Sequence, residues 1–353
     1  MKLVFLGDIS LNGNYIQKNI ENNNPFFVDF SDSDYVVGNI ECLAKGDGEN
    51  LLKNPRLKTR KATLSLLKNI NLNIGQLAHN HVYDNLRKGF EDTIDFFVEN
   101  NIKYLGASQE SGLVDKPVIL KNNDISVCLL NYVTKDTNPN LPIDADVYLN
   151  WFDEKKVITD IKKYKRQCDF VVLLLHWGGK MEGAMLPDFD QVGLAHRLVD
   201  AGADLIVGNH SHTVQPCEIY KSKHIYYSLG NFCFSDDFSE KQKCLISMDL
   251  IRHRYSRVLF VNLNKENMVV SSCYSYRNKK DEVSLVKRRA RIALLLYQKI
   301  FKIIFCNKRI WQIYRKCFVL FRPINKILFD CNVSFINVVK TIEAKKILKI
   351  LTK

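Results

Sequence analysis

The sequence predicts an α/β fold on three observations. Short apolar runs recur through roughly the first 280 residues and are continuous rather than alternating, the pattern of strands buried on both faces. Amphipathic stretches separate those runs, so strands alternate with helices. From about residue 217 shorter strands follow without helices, as hairpins completing a second sheet would.

Taken in order, LVFL (3–6), YVVGNI (35–40), LNIGQLA (72–78), ISVCLLN (125–131), FVVLLLH (170–176) and DLIVGN (204–209) read as the buried strands. The helical patterns between them are ATLSLLKN (62–69), GFEDTIDFFVEN (89–100), EKKVITDIKKYKRQ (154–167) and QVGLAHRLVDAG (191–202). His196, inside the last of these, reads as an ordinary packing or surface histidine. The hairpin candidates are CEIY, HIYYSLGN, CLISMDLI, RVLFVNL and MVVSSCYSY. No internal repeat or low-complexity linker interrupts the chain. The expected division is a domain over 1–280 and a tail over 284–353.

Of the 353 residues 46% are hydrophobic, enough for a well-buried core. The formal charge of +13 suggests nucleic acid or membrane until it is divided along the chain. Residues 284–353 hold 17 Lys and Arg against Asp330 and Glu343, a net +15, which leaves −2 for the rest. The ten cysteines include no C-x-x-C pair, and several sit in apolar runs such as ISVCLL, which favours reduced, buried thiols. The apolar run before Gly7-Asp8 has four residues, too few for a secretory or anchoring segment, so a cytoplasmic location is expected.

Nearly every buried strand ends in polar, reactive side chains. Gly7-Asp8 follow the first, Asn39 and Glu41 close the second, His79, Asn80 and His81 follow the third, His176 ends FVVLLLH, and His210 and His212 follow DLIVG. In open α/β sheets the carboxyl ends of strands are where loops converge on ligands. An isolated H-x-H is more often a surface loop, but repetition at five strand ends argues against that reading. Gly208 fits either way, since a backbone carrying two imidazoles to one point has little room for a Cβ.

Carboxylate, amide oxygen and imidazole without a thiolate suit a divalent cation such as Mn, Fe or Zn and disfavour a structural zinc site. Asp8, Glu41, Asn80, His176, His210 and His212 are the expected ligands. A bridging carboxylate would hold two ions roughly 3.5–4 Å apart, where one hydroxide is activated while a phosphoryl oxygen is polarised. That is the chemistry of phosphoester hydrolysis. His81, adjacent to Asn80, is better placed to face substrate. Asp84 either orients the His81 imidazole for proton donation to a leaving group or caps the helix beginning NLRKGFEDT.

The ordered motifs GD, N-x-E, A-x-N-H-x-x-D, L-H-W-G, G-A-D-x-I-V-G-x-H-x-H-x-x-Q and Y-S-L-G-N-F resemble those of the CapA-type poly-gamma-glutamate capsule synthesis proteins, a bacterial branch of the calcineurin-like metallophosphatase fold. They stand as Gly7-Asp8, Asn39 to Glu41, Ala78 to Asp84, Leu175 to Gly178, Gly202 to Gln215 and Tyr227 to Phe232, within roughly residues 1–240. The resemblance implies a four-layer αββα sandwich with a site for one or two divalent metal ions at one edge. It also implies metal-dependent hydrolysis in assembling or exporting an extracellular polymer. The alternative is a non-catalytic subunit of a capsule synthase or exporter with a degenerate site. Carried over by position, Asp8 and His212 fall to a first metal, Glu41 to the bridging place, and Asn80, His176 and His210 to a second.

Several positions depart from the family pattern. Ser10 stands where metallophosphatases carry the second His of G-D-x-H, which leaves one metal short of a ligand. His79 replaces a frequent Asn, and Lys180 stands where an acidic residue usually follows H-W-G, with Glu182 as its substitute or Lys180 as a changed substrate contact. Asn39 and Asn231 are expected to support the site, Phe232 to pack beneath it, and Trp177 to form a packed wall.

From Ser284 the patterns VKRRARIALLLYQKIFKIIF, RIWQIYRKCFVLF, INKILF and INVVKTIEAKKILKIL interleave apolar residues, including Trp311, Phe318 and Phe321, with Lys and Arg. No stretch approaches the ~18 uninterrupted apolar residues of a membrane span. Basic amphipathic helices lying on an anionic inner-membrane surface are expected, with a helical cap on the core as the alternative. Nucleic acid is not an expected partner, because no recognition motif accompanies the charge.

Overall fold

The computed structural model describes residues 1–46, 57–122, 124–238, 244–246, 248, 250–286, 298–303, 305 and 307–329. Two sheets stack face to face. One has nine strands in the order Phe26–Phe27, Val283–Val286, Met268–Arg277, Tyr255–Leu263, Lys2–Ser10, Tyr35–Ile40, Leu72–Gln76 and Lys103–Leu105, with Asn231–Phe234 added beside the end of Lys2–Ser10. The other has six: Cys217–Tyr220, Lys223–Tyr226, Leu205–Asn209, Phe170–His176, Ser126–Val133 and Val118–Lys121. The six-stranded sheet is parallel at its centre and antiparallel at both margins, whereas the nine-stranded sheet is parallel from Lys2–Ser10 to Lys103–Leu105 and antiparallel from Lys2–Ser10 to Val283–Val286.

The continuous apolar runs have the cause expected of them. Along Lys2–Ser10, Leu3 and Phe5 face the space between the sheets while Val4 and Leu6 face outward. Along Phe170–His176, Val172 and Leu174 meet them from the other side while Val171, Leu173 and Leu175 pack outward. Both faces of each strand are covered, so both sets of alternating positions are apolar until the carboxyl end of the strand. Helices Glu154–Lys165 and Phe189–Asp200 cover the six-stranded sheet, the latter started by a capping box between Asp188 and Gln191. Helix Leu86–Glu99 and the segment Lys61–Ile70 cover the nine-stranded sheet. The result is the four-layer αββα sandwich. Cys42, Cys128, Cys168 and Cys233 are buried and reduced.

Two expectations need correction. The pattern at 62–69 is helical but wound as a 3-10 helix over Lys61–Ile70, which Asn71 ends at φ +51° so that a strand begins at Leu72. The late hairpins do not all complete the second sheet. Cys217–Tyr220 and Lys223–Tyr226 join it, whereas Tyr255–Leu263 and Met268–Arg277 extend the first sheet from the side of Lys2–Ser10. HIYYSLGN breaks after Tyr226, and Asn231–Phe234 crosses to pair with Lys2–Ser10. A hairpin alternates in the same way whichever edge it joins, so local pattern does not choose between them.

Much of the tail, including VKRRARIALLLY after its first residue and all of INVVKTIEAKKILKIL, lies outside the described residues. Within them Lys308–Phe329 is a helix. Phe301 and Trp311 are buried against the outer face of the six-stranded sheet and its helices, with Phe305, Tyr314 and Phe318 partly buried beside them. This aromatic face packs on the core. No helix among the described residues is long and apolar enough to cross a membrane.

At Gly208 a Cβ would lie 2.0 Å from the Tyr227 carbonyl oxygen and 2.4 Å from Trp177 Nε1. Gly208→Ala is expected to cost at least about 2 kcal/mol, read as a lowered midpoint of urea unfolding.

Candidate metal centre

The parallel strands of both sheets end at one rim of the sandwich. Asp8 comes from Lys2–Ser10 at a register shift, paired with Asn39 on one side and Asn231 on the other. Asn39 Nδ2 donates to Asp8 Oδ1 at 2.8 Å and lies 3.4 Å from His176 Nδ1, so one amide ties the two sheets together. Glu41 follows, its amide donating to the Ile9 carbonyl at 2.9 Å. From the other sheet, His176 ends its strand and His210 and His212 follow theirs.

The six expected ligands gather as two neighbouring groups. Asp8, Glu41 and His212, all buried, each offer an atom within 4.8 Å of the other two. His212 Nδ1 lies 3.4 Å from Asp8 Oδ2 and its Nε2 lies 3.7 Å from Glu41 Oε1. In the second group His176 Nε2 is 2.8 Å from Asn80 Oδ1 and 3.1 Å from His210 Nδ1. The rings of His210 and His212 are 6.0 Å apart, so the groups adjoin.

Backbone strain accompanies this convergence. His210 has φ +96° and His212 φ +57°. Side chains with a Cβ rarely take such angles, at a cost of roughly 1–3 kcal/mol each, and surroundings that over-determine the loop must hold them. Gly183 N donates to Ser211 O at 2.9 Å, Thr213 Oγ1 donates to Ala184 O, and Gln215 Nε2 donates to Ala184 O and Leu186 O, both at 3.1 Å.

Charge separates the two groups. Burial lowers the His210 pKa to about 4, and burial with neighbouring histidines holds His176 well below its ordinary value, so both present neutral nitrogens. Burial also opposes a charge on His212, but Glu41 and Asp8 outweigh it and raise its pKa to about 10. The field that keeps this proton is one that would hold a divalent cation in its place. Asp8 Oδ2 and His210 Nε2 are buried without a hydrogen bond, and the donor set of carboxylates, imidazoles and an amide oxygen fits a hard or borderline cation.

His81 and Asp84 sit beside the first group. His81 Nδ1 is 2.6 Å from Asp84 Oδ2, and its Nε2 is 3.8 Å from Glu41 Oε1. Asp84 also accepts from the Leu57 amide at 2.8 Å and does not cap the helix that follows, whose N-cap position is Asn85. His79 is buried, accepting from the His81 amide at 3.1 Å, with its ring edge-on to His176. Asn231 Oδ1 is 3.0 Å from His212 Nδ1, and its amide nitrogen reaches the His253 carbonyl at 3.4 Å. Trp177 is a buried wall stacked on Tyr227, and Phe232 is fully buried in the core. Glu182 is near enough to act on the charges of His210 and His212, whereas Lys180 is exposed. Ser10 donates to Asn12 Oδ1 at 2.8 Å. His196 lies away from this rim, stacked on Tyr220.

Sequence reasoning missed Asn131. Its carbonyl oxygen accepts from the Ala78 amide at 2.9 Å, and its Nδ2 donates to the Leu174 carbonyl at 3.0 Å, so it fixes the start of the His79–His81 loop against the opposite sheet. The signal was present, since it ends ISVCLLN, the one apolar run left without a polar assignment. The buried pair Asn209 and Gln76, 3.3 Å apart, carried no such signal.

The family model for the bacterial capsule synthesis protein PGA_cap matches residues 2–236. Over 253 residues the chain is 30% identical to the PGA biosynthesis protein CapA of Bacillus subtilis, covering 67% of this chain and 63% of that one. Over 232 residues it is 34% identical to the capsule biosynthesis protein CapA of Bacillus anthracis, covering 62% and 55%. The chain thus spans less than two thirds of either relative. Among solved structures it is similar to a 5'-nucleotidase from Candida albicans, at 12% identity over 85% of this chain and 57% of that one, with a TM-score of 0.43. The match across residues 2–236 carries the assignment, and the chain belongs to the family of bacterial capsule synthesis proteins.

Proposed function

We propose that this chain is a metal-dependent hydrolase in capsule or exopolymer biosynthesis. Asp8, Glu41 and His212 would hold a divalent cation (Mn, Fe or Zn), and Asn80, His176 and His210 a second one where two bind. The observation that carries the reading is a carboxylate-supported imidazole beside that cluster: His81 is 2.6 Å from buried Asp84 and 3.8 Å from Glu41. A bound divalent cation supplies a lowered water pKa and a polarised phosphoryl or carbonyl oxygen.

The chain's own residues do the remaining work. Asp84, anchored by the Leu57 amide, fixes the His81 ring so that Nε2 can give a proton to a leaving oxygen. Asn39 keeps one Asp8 oxygen in place and leaves the other directed at the cluster. Phe234, edge-on to His212, and the Trp177 wall keep water from the inner side. Relatives named for PGA and capsule biosynthesis support an extracellular polymer or its precursor as substrate, worked on within a synthase or export complex.

A second reading rests on Ser10. Its hydroxyl is engaged with Asn12, at the place where a further His ligand is expected, which favours a binding or assembly subunit with a weakened site. The tail extends either reading to the inner membrane face. Ile300, Ile303, Ile310 and Ile313 are exposed among Lys299, Lys302 and Arg309, opposite the aromatic face packed on the core, a pattern suited to anionic headgroups.

Asp8→Asn is expected to abolish bound Mn, Fe or Zn in metal analysis of the purified chain. His81→Ala should lower aryl phosphate hydrolysis by about 10²–10⁴-fold with metal content unchanged; lost metal would make His81 a ligand instead. Absence of both metal and turnover after supplementation would leave the assembly role. Flotation with anionic liposomes should weaken when residues 284–353 are removed. In the metal-free chain, the stability His212 contributes is full below its ordinary pKa of 6.5 and is lost as pH rises toward about 10. His210 costs stability as pH falls from 6.5 toward about 4, because only the unfolded chain takes up the proton there. The thermal midpoint should therefore peak near pH 6.5 and fall on both sides, with divalent cation flattening the alkaline limb.

A further inference from the structure

We infer that the C-terminal helical segment is a buttress of the two-histidine loop, with Trp311 and Phe301 as its positioning residues. Two chains of contact run from the tail to the metal centre. In the first, the Trp311 ring is 4% exposed, tilted against Phe189 at 5.9 Å, and its Nε1 donates to the Pro187 carbonyl at 3.3 Å. Pro187 closes the segment whose Gly183, Ala184 and Leu186 hold Ser211, Thr213 and Gln215 by hydrogen bonds. That segment flanks the residues bearing His210 and His212.

In the second, Phe301 is 4% exposed and packs on Tyr227 at 5.7 Å. Tyr227 stacks on Trp177 at 6.0 Å, and its carbonyl accepts from Trp177 Nε1 at 2.9 Å. Trp177 directly follows His176. Gly208, two residues before His210, is pressed against both Tyr227 and Trp177. Three candidate ligands are therefore linked to the tail through intervening residues, His210 and His212 by way of the segment 183–187 and His176 by way of Tyr227 and Trp177.

The reason such backing is needed lies in the loop itself. His210 and His212 both carry positive φ, and a strained loop persists only while its surroundings leave it no relaxed alternative. Removing an outer contact lets the loop sample relaxed backbone angles, which carry the imidazoles away from a common point. The functional weight of the buttress rests on the metal site proposed above; the buttress itself does not.

The test uses the full chain and its Trp311→Ala, Trp311→Phe and Phe301→Ala variants. Amide hydrogen exchange of peptides spanning 208–216 and titration with Mn²⁺ by calorimetry are the readouts. Trp311→Ala and Phe301→Ala should speed exchange at 208–216 and weaken Mn²⁺ binding by about tenfold, with exchange in Tyr255–Leu263 unchanged. Trp311→Phe, which keeps the ring and loses the N–H, should fall between them and the parent. Unchanged exchange at 208–216 in both alanine variants would overturn the inference. A uniform rise that includes Tyr255–Leu263 would overturn it too, since the tail would then be a general stabiliser. A parent that binds no Mn²⁺ while the variants still loosen 208–216 would sink the metal reading and leave the buttress standing.

Discussion

Two carboxylates, Asp8 and Glu41, are fully buried at the seam between two sheets, and much else in the structure answers that fact. Taking two like charges out of water is costly unless opposite charge and hydrogen bonds meet them. His212 supplies the charge, Asn39 a hydrogen bond, and Asn231 steadies His212 from below. A site of this kind cannot be assembled from one sheet alone. The carboxylates come from the nine-stranded sheet and His212, which faces both, from the six-stranded one, so the inter-sheet core sets the spacing of the charges.

That core is close-packed, with Leu3, Phe5, Val172, Leu174, Leu205 and Val207 among its members. Rigid strands below and polar loops above give a preorganised rim. The polar residues that tie loop to loop, Asn131 between the sheets and Gln215 beneath the histidines, do for the loops what the apolar core does for the strands.

Much of this was legible in the sequence, for a physical reason. A strand buried on both faces writes itself as an unbroken apolar run, and polar residues at its end then stand out. Asp8, Glu41, Asn80, His176, His210 and His212 were visible in that way. Their division into two groups was not, because it depends on distances between sheets that no local pattern records. The positive φ of His210 and His212 was equally hidden, since histidine carries no mark of the backbone it adopts. Asp84 had two readings because a carboxylate just before a helix suits a cap and a histidine partner alike; the hydrogen bond to His81 separates them. In the tail, aromatic and basic residues at helical spacing describe an amphipathic face without naming its partner. Trp311 and Phe301 turned out to meet the protein's own outer layer.

The edge that Lys2–Ser10 turns toward the late strands is shared by two neighbours. Its first half pairs antiparallel with Tyr255–Leu263 and its last residues run parallel with Asn231–Phe234. The exchange happens at Gly7, where any Cβ would collide with the Gly230 carbonyl, and Asp8 is the first residue beyond it. The strand Lys2–Ser10 thus waits for partners made more than 200 residues later. Such distant pairings carry a heavy loop-closure cost and form slowly. Asp8 is consequently among the last side chains to be enclosed during folding, and the seam that buries it stays open until synthesis has passed residue 260 or so.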